Sequence, residues 1–152
     1  MTRVEGGQCF CGANKAVMTG EPFWICYDHD GDCRRAIDSP LTIWIGYRSA
    51  QVTFTAEEPR RFSKTRGVTR TFCSSCASSM TFVDDGLPDE IYVDSGFMDH
   101  PERFPPAAHG YWEMKLPFIE INDDLPKNDT YTRDRDVGLG FPNKRHQDDG
   151  RS

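Results

Sequence analysis

Six cysteines fall in three pairs along the chain: Cys9-Phe10-Cys11, Cys26 with Cys33, and Cys73-Ser74-Ser75-Cys76. A Cys-x-x-Cys step lets the backbone turn around one metal ion, with its amides free to donate to the sulfurs. Cys-x-Cys does the same at a tight turn, and Gly6, Gly7 and Gly12 around that pair permit one. Four thiolates at ~2.3 Å in a tetrahedron form a closed structural zinc site. Cys9, Cys11, Cys73 and Cys76 are therefore read as ligands of one Zn2+ ion. The plainer alternative is two ordinary buried cysteine pairs, or disulfides. In a reducing compartment paired cysteines more often bind metal or do chemistry. A redox role for Cys73 and Cys76 is disfavoured, because no βαβ pattern surrounds them. The two short pairs lie far apart in sequence. A shared ion would pin the N-terminal strand to the middle of a sheet and convert metal-binding free energy into folding free energy.

The elements that must hold these thiolates are short. The apolar run Leu41–Tyr47 and the alternating runs Gln51–Thr55, Ser79–Val83, Glu90–Val93 and Pro117–Ile121 read as strands. Alternation buries one face and wets the other, as in antiparallel sheets. Asp84-Asp85-Gly86, Leu87-Pro88-Asp89 and Asn122-Asp123-Asp124 are turn signals between them. A short helix is expected after Asp30, around Cys33–Ala36, and a turn over His100–Arg103. The chain of 152 residues suits one core. The reading is a mainly β, small antiparallel domain over residues 1–126. A polar, loosely ordered C-terminal tail is expected over 127–152.

With 37% hydrophobic and 28% charged residues, the composition is that of an ordinary globular protein. The net charge of −6 gains nothing from the counterion release that drives general nucleic-acid binding, so no nucleic-acid partner is expected. Arg60, Arg61, Lys64, Arg66 and Arg70 do lie close together; the plain reading is a solvated strand and turn face. No run approaches the ~20 apolar residues of a membrane helix, so no membrane partner is expected. Residues 1–7 lack the apolar segment of a secretory signal. A cytoplasmic location is the expectation.

The cysteine motifs resemble those of the glutathione-dependent formaldehyde-activating enzymes, also called the CENP-V/GFA domain family. That family's opening Gly-x-Cys-x-Cys-Gly is similar to Gly7-Gln8-Cys9-Phe10-Cys11-Gly12. Its Arg-x-Phe-Cys-x-x-Cys-Gly-Ser is similar to Arg70-Thr71-Phe72-Cys73-Ser74-Ser75-Cys76-Ala77-Ser78. Two weaker matches are Gly96-Phe97-Met98-Asp99 for Gly-x-x-Asp and Pro106-Ala107-Ala108-His109 for Pro-x-x-His. The resemblance runs over about residues 5–125. It implies a fold of tent-like, Mss4-like β sheets centred on the Cys9/Cys11/Cys73/Cys76 zinc.

The family's second motif, Cys-His-Cys-x-x-Cys-Arg, holds a second zinc with an open position for thiol chemistry. The matching stretch here is Asp28-His29-Asp30-Gly31-Asp32-Cys33-Arg34. His29, Cys33 and Arg34 agree; two thiolates have become Asp28 and Asp30. Carboxylate oxygens bind zinc at about 2.0–2.2 Å, but the swap of soft for hard ligands lowers preference for zinc. On an extended strand Cys26, Asp28 and Asp30 share one side and His29 points to the other. Three arrangements stay open: zinc held by Cys33, the aspartates and Cys26; another metal; or no metal and solvated aspartates.

Two functions follow. The resemblance implies a carbon–sulfur lyase that adds a small thiol such as glutathione to an aldehyde, or reverses that addition. In it, His29 moves the proton, Cys33 is the surviving anchor and Arg34 assists, with Arg35 a further candidate to bind a substrate carboxylate. The other is a catalytically inactive, zinc-stabilised scaffold that binds a partner or small molecule. His29 as a cap or orienting residue is the plainer role. His100 and His109 read as surface or packing residues, and His146 as part of the tail. Trp24, Trp44, Tyr47 and Trp112 read as core.

Overall fold

The structure, a computed structural model, describes residues 1–130. Ten short strands and one helix form in the order β1 (Val4–Gln8), β2 (Lys15–Thr19), β3 (Trp24–Asp28), α1 (Gly31–Ile37), β4 (Thr42–Arg48), β5 (Val52–Phe54), β6 (Arg60–Phe62), β7 (Val68–Phe72), β8 (Ser79–Asp84), β9 (Glu90–Asp94) and β10 (His109–Gly110). A three-stranded sheet runs β1-β2-β5. A seven-stranded sheet runs β10-β3-β4-β9-β8-β7-β6. Every pairing is antiparallel except β10 with β3. The fold is mainly β, with the four cysteines gathered in one place.

The central strand β4 explains why its sequence reads as a continuous apolar run: both of its faces are covered. Ile45 and Tyr47 point into the main core with Met18, Met80, Val93, Phe97 and Phe104. Trp44 points the other way, into a second cluster with Cys33 and Tyr92. The helix α1 starts where Asp30 accepts a hydrogen bond from the Cys33 N–H at 3.1 Å. It stops at Asp38, whose φ of 53° is left-handed and whose N–H donates to Arg34. Trp44 and Tyr47 are core as expected, whereas Trp24 and Trp112 are only half-buried.

The segment 117–121, expected as a strand, is not one. The Ile119 N–H donates back to the Leu116 carbonyl and Lys115 Nζ donates to the carbonyls of both residues, which closes a turn. Phe118 is left 74% exposed. The outer edge of β10 is taken instead by later chain. The His109 N–H donates to Pro126 and the Asn128 N–H to His109, at 2.8 and 2.9 Å. Residues 127–130 therefore pack on the domain, with Trp112 and Tyr111 donating to Asn128 and Thr130. The rest of the expected tail, His146 included, lies outside the described residues. At the opposite edge, β6 carries Arg60, Arg61 and Phe62, all exposed.

No described helix is long and apolar enough to cross a membrane.

Gly7 lies in β1 against the Ser95–Phe97 turn. A Cβ there would stand 2.7 Å from the Phe97 ring and 2.8 Å from its carbonyl oxygen, in a fully buried place. Gly7→Ala should lower stability by about 1–3 kcal/mol through overpacking. Gly6→Ala would meet only the free end of the exposed Asp99 side chain and should cost much less. Urea unfolding of both variants reads the difference; equal losses would contradict this packing.

Candidate metal centre and its neighbours

Two similar loops present the thiols. Cys9 follows β1, its N–H donating to Asn14 O while the Gly12 N–H returns to Cys9 O, both at 3.0 Å. Cys73 follows β7, its N–H donating to Ser78 O at 3.0 Å while the Ala77 N–H returns to Cys73 O at 2.9 Å. Each loop turns through a positive φ, 80° at Gly12 and 63° at Ala77. Backbone amides point at the sulfurs: Asn14 N–H at Cys9 Sγ (3.2 Å), Ser75 and Cys76 N–H at Cys73 Sγ (3.4 and 3.5 Å). The Phe10 N–H donates to Ser78 Oγ and ties the loops together.

The four ligand atoms all lie within 4.8 Å of one another. The Cys9–Cys11 and Cys11–Cys73 Sγ separations are both 3.7 Å. A tetrahedron with ~2.3 Å metal–sulfur bonds has an edge of about 3.8 Å, so these thiols fit a tetrahedral metal ion. Hydrogen bonds from the Ser78 hydroxyl and backbone bring Cys76 down to about 5. At Cys11 a hydrogen bond from Ala13 is outweighed by desolvation and three neighbouring thiols, and its thiol is pushed up to about 12. The crowding opposes full ionisation, and a cation at the centre would remove that opposition. Cys9 and Cys73 are buried, Cys76 is half-buried and Cys11 is exposed.

The second candidate set is not assembled in this way. Among the described residues the four-cysteine group is the one cluster of three or more such side chains with converging ligand atoms. Asp28 accepts from the Asp30 N–H (2.9 Å) with one oxygen and from Trp44 Nε1 (3.0 Å) with the other. Asp30 caps α1. Both aspartates are buried, so neither is solvated. Cys26 is buried in β3 opposite Trp44. Arg34 clamps the carbonyls of His29 (2.7 Å) and Met114 (2.6 Å) through Nη1. Cys33 is the buried residue of α1, and its Sγ accepts from Arg70 Nη2 at 3.4 Å. Burial pushes the Cys33 thiol well up from its ordinary value.

His29 turns away from Cys33 and packs edge-on against Trp112. Its Nε2 lies 3.0 Å from His109 Nδ1, and His109 Nε2 lies 2.9 Å from Asp123. Both histidines are 0% exposed. With the carboxylate accepting from His109 Nε2–H, His109 Nδ1 accepts from His29 Nε2–H, and His29 Nδ1 carries a lone pair with no hydrogen-bond partner. Sequence reasoning missed this chain of three. His109 stood in the weak Pro-x-x-His match, but nothing marked Asp123, which read as a turn residue. His100 is exposed and pairs with Glu102.

The description of the glutathione-dependent formaldehyde-activating enzyme family matches residues 4–114. No curated protein matches the chain. Among solved structures, a crystal structure of a Rhodobacter sphaeroides protein is 17% identical, with a TM-score of 0.49 over 80% of this chain and 98% of its own. That likeness is too distant to carry an argument.

Two predictions follow from this geometry. Desolvation, then the His109 charge, lowers His29 to about 4 from 6.5. Between those values the unfolded chain binds the extra proton, so stability rises with pH across the window and is lost as pH falls toward 4. The loss attributable to His29 should be about 3 kcal/mol, and His29→Gln should remove that part of the slope in urea titrations. An unchanged slope would contradict the burial of a neutral imidazole. Separately, Ala77→Gly relieves a left-handed residue worth ~1–2 kcal/mol, less ~0.5–1 kcal/mol of added chain entropy. A modest rise in melting temperature is expected, and a fall would overturn the strain.

Proposed function

The chain belongs to the glutathione-dependent formaldehyde-activating enzyme family, and from that premise we propose a zinc-stapled domain that binds small thiol adducts. Cys9, Cys11, Cys73 and Cys76 would hold one Zn2+, which supplies a cross-link and no reactive position. The partner class is a small thiol of the glutathione type, carried by the family name. The reducing cytoplasm suits a site whose sulfurs stand at 3.7 Å, a metal-sharing distance and not a disulfide.

One observation carries the preference for binding over catalysis. Asp28 and Asp30 occupy two of the ligand positions of the family's second motif, and their carboxylates close the turn between β3 and α1. Moving either onto a metal would uncap α1 or release the Trp44 indole.

The second reading is a carbon–sulfur lyase acting on S-hydroxymethyl-glutathione-type adducts. The buried His29–His109–Asp123 chain favours it, since an unpartnered His29 Nδ1 suits a proton acceptor. Against it, His29 and Cys33 pack in different clusters, and Arg34 is committed to backbone carbonyls. The domain boundary expected at residue 126 belongs later, because residues 127–130 hydrogen-bond to His109, Tyr111 and Trp112.

Elemental analysis of protein purified without added metal should give about one zinc per chain. Cys76→Ser should lose that zinc and unfold or melt far lower, while Cys33→Ser should keep both zinc and fold. Exchange of formaldehyde with glutathione, followed by NMR, should run at its uncatalysed rate. Two zincs per chain, one of them lost in Cys33→Ser, with accelerated exchange, would replace the binding reading by the lyase.

A further inference from the structure

The hydroxyl of Ser78 stands between the two cysteine loops. Its Oγ lies 3.1 Å from the Phe10 nitrogen of the first loop and 3.1 Å from Cys76 Sγ of its own. The Ser78 carbonyl accepts from the Cys73 N–H at 3.0 Å, which fixes the residue at the base of the second loop. The side chain is half-buried, and among the described residues Phe10 and Cys76 are the two partners of its Oγ.

The direction of the two hydrogen bonds follows from which groups can donate. A backbone N–H only donates, so Phe10 occupies a lone pair of the hydroxyl. That leaves the single Oγ proton for Cys76. A metal-bound Cys76 is a thiolate and carries no proton of its own, so the hydroxyl is then the donor across that 3.1 Å. The backbone N–H groups of Ser78 and Cys11 face the same sulfur. They belong to the main chain and survive a side-chain substitution. With all four thiols ionised on a metal, the hydroxyl is the one side-chain donor left to this sulfur among the described residues.

We propose that Ser78 is a positioning residue of the metal centre: seated by the first loop through Phe10, its hydroxyl aims at Cys76 and holds that thiolate ready for the ion. The inference rests on the zinc reading of the four thiols and names what tunes their grip. A donor to a ligand atom fixes its orientation and stabilises its ionised form, and losing one such partner weakens metal binding about 10–100-fold. The arrangement also makes loop closure and ligation one event. The first loop must arrive before the hydroxyl is oriented, so Cys76 receives this donor only when Cys9 and Cys11 stand opposite.

The test uses the full chain with zinc and with cobalt(II), whose sulfur-to-metal charge-transfer absorption reports on the ligand atoms. In competition with a chelator, Ser78→Ala should bind zinc about 10–100-fold more weakly. Its cobalt charge-transfer band should move to lower energy, because a sulfur without its donor gives up electron density more readily. Ser78→Thr keeps the hydroxyl and should restore both readouts. Ser78→Val has the same shape without the hydroxyl and should restore neither, and this pair carries the test should Ser78→Ala fail to fold. Ser74→Ala, at an exposed serine of the same loop, should leave both readouts unchanged. An affinity loss with an unmoved band would reduce Ser78 to a tie between loops and overturn its role at the sulfur. Equality of Ser78→Ala with the unmutated chain in both readouts would overturn it too. Failure of the unmutated chain to take up zinc or cobalt would overturn the zinc reading, and this inference with it.

Discussion

The closure of two distant loops around four thiols is the constraint on which the rest of the fold depends. One loop leaves β1 in the small sheet and the other leaves β7 in the large one. Outside that cluster the sheets meet through the apolar core shared by Met18, Ile45, Tyr47 and Met80. That core is modest and most of its contacts are distant in sequence, so chain entropy weighs heavily against it. Four thiols at tetrahedral spacing, each loop pre-shaped by its own backbone hydrogen bonds, would place a metal ion's binding energy where the loop-closure cost is greatest. Cys9 and Cys73 belong to the core as well as to the cluster, so packing and ligation are set by the same atoms.

The opposite side of the large sheet is organised by a buried polar turn. Asp28 links the Asp30 amide to the Trp44 indole, Asp30 caps α1, and α1 turns its Cys33 inward against Trp44 and Tyr92. Two buried carboxylates are tolerated because each accepts hydrogen bonds that the local backbone and the indole would otherwise lack. The same economy leaves Arg70 with a thiol on one nitrogen and nothing on the other. Across space the Cys33 sulfur and the Asp30 and Asp28 carboxylates still act on that guanidinium and hold it in its charged form, against the pull of burial.

What was legible in the sequence was mostly local. Cys-x-Cys and Cys-x-x-Cys announced the four-thiol cluster because ligand spacing is a short-range signal. Asp30 as a helix start and β4 as an apolar strand were readable for the same reason. The strand expected at 117–121 failed because alternation says nothing about whether a sheet edge is vacant. The ligand set proposed around Asp28 and Asp30 depended on where two carboxylates point, and a Trp44 indole sixteen residues away decides that for Asp28. The His29–His109–Asp123 chain joins positions 80 and 14 residues apart, with no spacing rule to expose it.

Neither margin of the seven-stranded sheet invites further strands. At one, β10 is occupied by the chain around Pro126–Asn128. At the other, β6 is three residues long and presents Arg60 and Arg61 to solvent. Short, charged edge strands resist pairing with foreign backbone. The large sheet is thereby poorly suited to edge-to-edge pairing, and a macromolecule that docks on it has only the three-residue ladder of β6 to pair with and must read side chains elsewhere.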